Sequence, residues 1–257
     1  MEWQLTQLLI ICPLIFIAGL IDAIGGGGGL ISLPAFMIAG FPVHYAIGTN
    51  KVSSAMGTSI ALTKYLRDGF INLKLALCGV IFAMIGSPLG TKTALLINEN
   101  VFKFLMLFIL PLTGIYIFKS KKILREKREA QAVTTQTYIV CSLVAFFLGF
   151  YDGLYGPGAG TFMLISLAGV ARLRVQEANG VTKAINFVTN FSAMVVYLLN
   201  GKVILSVGII AGVFCIAGNY IGAKFFERGG ARAMFPVILV VLGLFFIRVI
   251  YDLILLF

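Results

Sequence analysis

Charged residues are scarce in this chain, at 12% of its 257 positions, whereas 60% of the positions are hydrophobic. A soluble domain of this size exposes more polar surface than that, because its surface-to-volume ratio forces polar side chains outward. Hydrophobic runs long enough to cross a ~30 Å hydrocarbon layer recur along the chain. Val101 to Phe118 and Met234 to Ile247 are two of them. The composition predicts an integral membrane protein and excludes a soluble domain.

Residues that bind metals or act as nucleophiles are also few. The single histidine, His44, falls in a short predicted connector without a ligand at metal-binding spacing, and no Cys-x-x-Cys pair occurs. The cysteines all lie inside hydrophobic runs: Cys12, Cys78, Cys141 and Cys215. We therefore expect free thiols and no disulfide, metal or cofactor. An intramembrane enzyme is not expected either, since it needs metal ligands or a nucleophile–base pair within the spans.

A basic region is missing before the first hydrophobic run, Leu5 to Leu20, and no small-residue cleavage site follows it. The run is therefore predicted to be a retained membrane segment rather than a secretory signal.

Basic residues concentrate in one hydrophilic segment. Six of the 20 lysines and arginines lie within residues 119–128. This segment is predicted to be a cytoplasmic linker, since loops rich in Lys and Arg stay on the cytoplasmic side. It has no interleaved aromatic residues and no folded domain around it, so nucleic acid is not an expected partner.

Two related halves flank this linker. Equivalent residues recur first at an offset of 130 and then at an offset of 132, in the same order. The matched pairs are Gly19/Gly149, Asp22/Asp152, Gly26/Gly156, Gly28/Gly158, Lys51/Lys183, Gly69/Gly201, Gly86/Gly218, Gly90/Gly222 and Lys92/Lys224. An ordered series with one shift indicates a duplication. The predicted organisation is a transmembrane repeat over residues 1–118, the basic linker over 119–133 and a second repeat over 134–257.

Each repeat divides into five hydrophobic pieces, of which the second is only 10 or 11 residues long. The pieces are about Leu5 to Asp22, Leu30 to Gly40, Ala46 to Leu66, Phe70 to Gly90, Val101 to Phe118, Tyr138 to Tyr151, Thr161 to Val170, Ala178 to Leu199, Val203 to Gly222 and Met234 to Tyr251. An odd number of pieces per repeat requires the repeats to be inverted. The charge distribution agrees, because threading from a cytoplasmic linker puts fourteen basic residues near cytoplasmic ends. We predict an all-α membrane protein of two pseudo-symmetric, inverted repeats, the architecture of many secondary transporters.

Glycine-rich stretches, residues 22–29 and 152–160, separate the first and second pieces of each repeat. Five consecutive glycines weaken a helix, and Pro157 removes a backbone donor. We predict that each hairpin is broken here and that a half-helix opens at about Leu30 or Thr161. Its free N–H groups and positive dipole end would favour an anion. The candidate contacts are Gly26, Gly27, Gly28, Gly156 and Gly158. Close helix packing through small residues is the alternative.

A lysine-headed polar stripe occurs at the same place in both repeats. Lys51 is followed at plus 3 and plus 7 by Ser54 and Thr58, and Lys183 by Asn186 and Asn190. These spacings put each set on one helix face. With the neighbouring Asn50 and Thr182, these residues are predicted to bind substrate, since ionisable residues inside a membrane mark sites or pathways. The alternative is that the lysines snorkel to the interface.

The matched aspartates, Asp22 and Asp152, flank the glycine breaks. Three roles are open for them: counter-ions to the lysines, proton carriers, or caps for the broken backbone. Tyr151 and Tyr155 have no tyrosine counterparts in the first repeat, and could add asymmetric selectivity.

These motifs resemble the sulfite exporter TauE/SafE family of bacterial and plant membrane permeases. The resemblance rests on residues 19–30, on Gly48-Thr49-Asn50-Lys51, and on the second copy with Asp152, residues 156–158 and Lys183. It extends from about Leu8 to Ile247. It implies transport of small sulfur-containing anions such as sulfite or organosulfonates, and fewer membrane spans than the ten hydrophobic pieces, so that some would be re-entrant.

We therefore expect a multi-pass protein of the cell membrane (the inner membrane in a bacterium) that moves a small inorganic or organic sulfur anion by alternating access. The anion would sit between the two glycine tips, and a proton gradient acting through Asp22 or Asp152 is the favoured energy source. The chain could also form a homodimer. An anion-selective channel using the same lysines is the alternative function, and a purely structural membrane protein is a further one.

Overall fold

The computed structural model describes residues 5–119 and 133–227, and this part of the chain is all α-helical. Nine helices are described there. They are α1 (Leu5–Gly25), α2 (Gly29–Ile38), α3 (Val43–Arg67), α4 (Leu73–Leu96), α5 (Glu99–Lys119), α6 (Thr135–Leu154), α7 (Ala159–Gly169), α8 (Val175–Leu199) and α9 (Leu205–Glu227). Five of them, namely α1, α4, α6, α8 and α9, are long and apolar enough to cross a membrane. The predicted piece from Met234 to Tyr251 and most of the basic linker lie outside the described residues.

Each repeat contains the predicted broken hairpin. Helix α1 ends at Gly25 and α2 begins at Gly29, while α6 ends at Leu154 and α7 begins at Ala159. The half-helices therefore begin one or two residues before the positions expected from the sequence. With 10 and 11 residues they are about half as long as the bilayer is thick, at ~1.5 Å per residue.

His44 lies in the first turn of α3, so the prediction that it belongs to a connector is wrong. Its imidazole is buried, and Nε2 lies 3.0 Å from the carbonyl oxygen of Ile97. The contact joins the start of α3 to the segment between α4 and α5.

Long helices pair across the two repeats, through glycines that admit close backbone approach. Helix α4 packs on α6, where Gly90 lies against the carbonyl of Phe150. Helix α1 packs on α9, where Gly222 lies against the carbonyl of Leu20. A Cβ atom at either glycine would overlap the facing backbone. Small residues at such crossings allow the backbone contact that drives helix association in membranes.

These two pairings are copies of each other. Gly90 and Gly222 are related by the 132-residue offset, and Leu20 and Phe150 by the 130-residue offset. The central pair, α3 and α8, is equivalent under the same offsets, and each of the two also packs on the fourth helix of the other repeat. The duplication in the sequence is thus matched by duplicated packing. The first helix of each repeat packs on the fourth helix of the other repeat.

Candidate functional site

The two glycine tips contact each other. Gly26, with φ of +75°, packs against the backbone of Gly160, and Gly29 packs against Pro157. The hydroxyl of Thr161 donates a 2.7 Å hydrogen bond across the contact to the carbonyl of Gly25. The tips touch, and the open space next to their contact is lined by glycines of both tips.

Both lysines of the polar stripes end inside the protein, with only 2% of Lys51 and none of Lys183 exposed. Each forms an ion pair with the aspartate of the other repeat. Lys51 Nζ lies 3.0 Å from Asp152 Oδ1, and Lys183 Nζ lies 3.0 Å from Asp22 Oδ2. The snorkelling alternative is therefore wrong. Of the three roles left open for the aspartates, the observed contacts are those of counter-ions.

The two ion pairs differ in their other contacts. Lys183 also donates to the backbone carbonyl of Asp22, so both of its described partners belong to one residue. Lys51 donates instead to the side-chain oxygen of Asn190, at 3.1 Å. Lys51, Asp152 and Asp22 line one cavity, whereas Lys183 lies outside its lining.

This cavity is bounded by the glycine tips, α1, α3, α6, α8 and α9. The cavity has room for about two or three waters. Its lining is formed by Ala18, Gly19, Asp22, Gly26, Gly28, Gly29, Ser32, Asn50, Lys51, Ser54, Thr58, Asp152, Gly156, Gly160, Asn186, Asn190 and Cys215. The space suits a small ion of a few heavy atoms.

Most residues predicted from the sequence line this one cavity, but four do not. Those outside the lining are Gly27, Gly158, Thr182 and Lys183. Lys183 is turned towards Asp22, and Thr182 is fully buried with a hydroxyl that has no hydrogen-bond partner among the described residues.

The sequence analysis missed two lining side chains that carry a hydroxyl or thiol group. Ser32 lies in the first turn of α2 and is 4% exposed, and its hydroxyl has no hydrogen-bond partner among the described residues. Its counterpart in the second repeat is Phe162, so the symmetry search did not find it. The position of Ser32 just after the glycine run was the available signal. Cys215 also lines the cavity, although its position within a hydrophobic run favoured a core thiol.

Several hydrogen-bond donors in the wall are available to a ligand. Within residues 5–119 and 133–227, the backbone N–H groups of Gly28, Gly29 and Gly160 donate no hydrogen bond, and neither do the amide nitrogens of Asn50 and Asn186. The open N-terminus of α2 adds its positive dipole end.

Two side chains of the polar stripes already donate hydrogen bonds within their own helices. The Thr58 hydroxyl donates to the carbonyl of Ser54, and the Asn190 amide nitrogen donates to Asn186.

The part of the chain that the structure describes holds no group of three or more His, Cys, Asp or Glu side chains placed to bind a metal.

Comparison with known proteins identifies the family of the chain. The sequence model of the family described as "Sulfite exporter TauE/SafE" matches residues 11–249. The chain is 34% identical to "Probable membrane transporter protein ORF9" of Sinorhizobium sp, over 92% of this chain and 90% of that protein.

Two further relatives carry similar names. A "Probable membrane transporter protein" of Haemophilus influenzae is 32% identical over 92% of both chains. "Probable membrane transporter protein YfcA" of Escherichia coli K12 is 26% identical over 92% of this chain and 87% of that protein. No solved structure matches the chain. The family match spans nearly the whole chain, including both glycine tips and both ion pairs, so the chain belongs to the sulfite exporter TauE/SafE family and is a multi-pass membrane transporter.

Proposed function

We propose that this transporter moves a small anion, a sulfur oxyanion or organosulfonate, and binds it in the cavity beside the glycine tips. The observation that carries the proposal is the convergence of one buried lysine with unpaired donors. Lys51 supplies a positive charge, and Gly28, Gly29 and Ser32 supply N–H and O–H groups at the start of α2. Pre-arranged donors of this kind favour an anion over a neutral solute.

The amide groups of Asn50 and Asn186 complete the binding shell. They line the cavity from α3 and α8, on the two repeats, and their Nδ2 atoms have no partner among the described residues. A pyramidal or tetrahedral oxyanion presents several oxygens in different directions, which suits donors that converge from α2, α3 and α8. The family description, sulfite exporter, supports the same substrate class.

We further infer that the repeats are inverted and that transport occurs by alternating access. The exchanged helix pairing, the odd number of predicted pieces and the charge distribution support inversion. Inverted repeats place a substrate site at their interface and let one bundle rock against the other. The contact between the tips, closed by the Thr161 hydrogen bond to Gly25, favours a transporter over an open channel. Counterflow of labelled against unlabelled anion distinguishes the two, since a channel shows no exchange.

A binding screen tests the proposal. Purified protein is titrated with sulfite, sulfate, thiosulfate, methanesulfonate and acetate. We expect saturable binding of at least one sulfur anion and weaker binding of acetate, which has fewer oxygens for the converging donors.

Two variants and one control locate the site. Lys51→Ala should weaken binding by about 10- to 100-fold, because hydrogen bonds to charged groups contribute roughly 1.5–3 kcal/mol. Ser32→Ala should weaken it several-fold, since one neutral hydrogen bond is worth about 1 kcal/mol. Lys74→Ala is the control, because Lys74 is exposed at the start of α4. Binding that survives Lys51→Ala unchanged would reject this site.

A further inference from the structure

We propose that the anion enters the cavity together with one proton, and that Asp152 carries the proton while Lys51 holds the anion. The inference rests on the proposed anion site and identifies what accompanies the substrate.

The charges at the cavity cancel before any ligand binds. Asp22, Lys51 and Asp152 line it, and Lys183 pairs with Asp22 from behind the wall. The net charge of these two lysines and two aspartates is zero. A monoanion would therefore leave an uncompensated negative charge at a buried site, which is costly. One proton taken up on a carboxylate restores neutrality.

Asp22 is the less suitable proton acceptor. Its carboxylate pairs with Lys183, which is completely buried and has no described partner outside Asp22. Neutralising Asp22 would leave a sealed lysine without a counter-ion, and the anion cannot reach that lysine because Lys183 does not line the cavity.

The surroundings of Asp152 differ from those of Asp22, because the lysine that pairs with Asp152 faces the cavity. Its partner Lys51 lines the cavity and keeps a second contact, the side-chain oxygen of Asn190. An anion that binds Lys51 replaces the charge of Asp152, so this carboxylate becomes free to accept a proton. When the anion leaves, the proton leaves Asp152 for water and the Lys51–Asp152 pair forms again.

The second oxygen of Asp152 provides the place for the proton. Asp152 is 3% exposed, and Oδ2 has no hydrogen-bond partner among the described residues. A buried carboxylate oxygen without a donor is unfavourable, whereas a protonated Oδ2 becomes a donor that can reach a bound anion.

Few other ionisable groups face Asp152. Lys51 approaches from α3, and Asp22 lies across the cavity on α1. Helix α7 carries no ionisable side chain, and α8 presents Lys183, which Asp22 holds. On α4, Lys74 and Lys92 are exposed, and Cys78 contacts Ser142. On α6 itself, Tyr151 is adjacent and donates its hydroxyl hydrogen to Pro157.

Proton movement is measured in proteoliposomes that contain a trapped pH dye and an imposed membrane potential. The probes are methanesulfonate and thiosulfate, whose charges of minus one and minus two do not change near neutral pH. We expect one proton to enter with each anion of either kind. Methanesulfonate uptake should therefore change less than twofold with membrane potential, whereas thiosulfate uptake, which still moves one negative charge, should accelerate several-fold when the interior is positive.

Two variants of the carboxylate identify the carrier. Asp152→Asn should reduce the protons moved per methanesulfonate at least fivefold and make methanesulfonate uptake sensitive to potential. Asp152→Glu should keep the one-to-one ratio. Asp68→Asn is the matched control, because Asp68 pairs with Lys64 at the end of α3, away from the cavity.

The number of protons that enter with each anion in the wild type tests the proposal without any variant. Anion uptake by the wild type without proton entry would overturn it and leave the anion site standing. Proton entry that persists one-for-one in Asp152→Asn would overturn the assignment to Asp152. Failure of the wild type to move either anion would reject the proposed function, and this inference with it.

Discussion

At the scale of single residues, two buried ion pairs connect the two halves of the chain. Lys51 and Lys183 occupy equivalent sequence positions, yet only Lys51 faces the cavity. A buried pair adds little net stability relative to apolar residues, but the loss of one partner leaves a charge unpaired in a low-dielectric interior. Loss of either lysine should therefore destabilise the protein, and only loss of Lys51 should also remove a positive charge from the cavity wall.

Lys183→Met should destabilise the protein by about 3–5 kcal/mol, because Asp22 loses its counter-ion. The double variant Asp22→Asn/Lys183→Met should recover much of that loss, since removing both charges leaves none unpaired. Thermal unfolding in detergent, followed with a thiol-reactive dye, measures both, because all four cysteines are free and three are buried.

Lys74→Met serves as the control for loss of a lysine at an exposed position. A double variant that is as unstable as Lys183→Met alone would contradict a structural role for the Asp22–Lys183 pair.

At the scale of elements, the broken hairpins determine the shape of the site. A continuous helix through residues 22–38 would leave no open N-terminus, whereas the break at residues 26–28 exposes the first N–H groups of α2 to the cavity. The same break lets Gly26 touch Gly160, so that one tip positions the other. Glycine is required at Gly26 for two reasons, its positive φ and the absence of space for a Cβ atom.

Comparison of Gly26→Ala with Gly40→Ala separates the effect of the positive φ from the effect of the missing space for a Cβ atom. Both glycines have positive φ, which costs an L-residue roughly 1–2 kcal/mol. A Cβ at Gly40 meets nothing within 4 Å, whereas a Cβ at Gly26 would overlap the backbone of Gly160. Gly40→Ala should therefore lower the melting temperature modestly and keep anion binding.

Gly26→Ala should lower the melting temperature further and abolish binding, because the tips are forced apart. The thermal assay and the anion titration read out both effects. Equal behaviour of the two variants would show that the contact between the tips does not shape the site.

At the scale of the whole molecule, the duplicated packing brings together groups that are far apart in the chain. The first helix of each repeat pairs with the fourth helix of the other, and each lysine pairs with the other repeat's aspartate. Movement of one repeat against the other would therefore act on the ion pairs directly, which is a physical route from substrate binding to a change of access.

The proposed inversion of the repeats predicts that equivalent connectors lie on opposite sides of the membrane. Gly69 and Gly201 are related by the 132-residue offset, both are exposed, and neither has a neighbour within 4 Å of a Cβ position. With the four native cysteines replaced by alanine, a membrane-impermeant maleimide on intact cells should label Gly201→Cys. It should label Gly69→Cys only after the membrane is opened. Labelling of both from the same side would disprove inversion.

Much of the fold could be predicted from the sequence because it depends on local composition. Long apolar segments indicate membrane helices, runs of glycine break them, and a repeated order of glycines and lysines reveals the duplication. These features need no knowledge of which segments touch. Hence the nine described helices lie close to the predicted pieces, and most predicted polar residues line one cavity.

The sequence by itself determined that this is a membrane transporter family member with two lysine–aspartate sets. The tertiary structure alone decided that each lysine pairs with the other repeat's aspartate, more than 100 residues away. It also decided that Lys51 and Ser32 line the cavity whereas Lys183 does not. The reason is physical: the two repeats have equivalent positions but unequal neighbours, such as Ser32 against Phe162, and only packing reveals which groups remain open to a ligand.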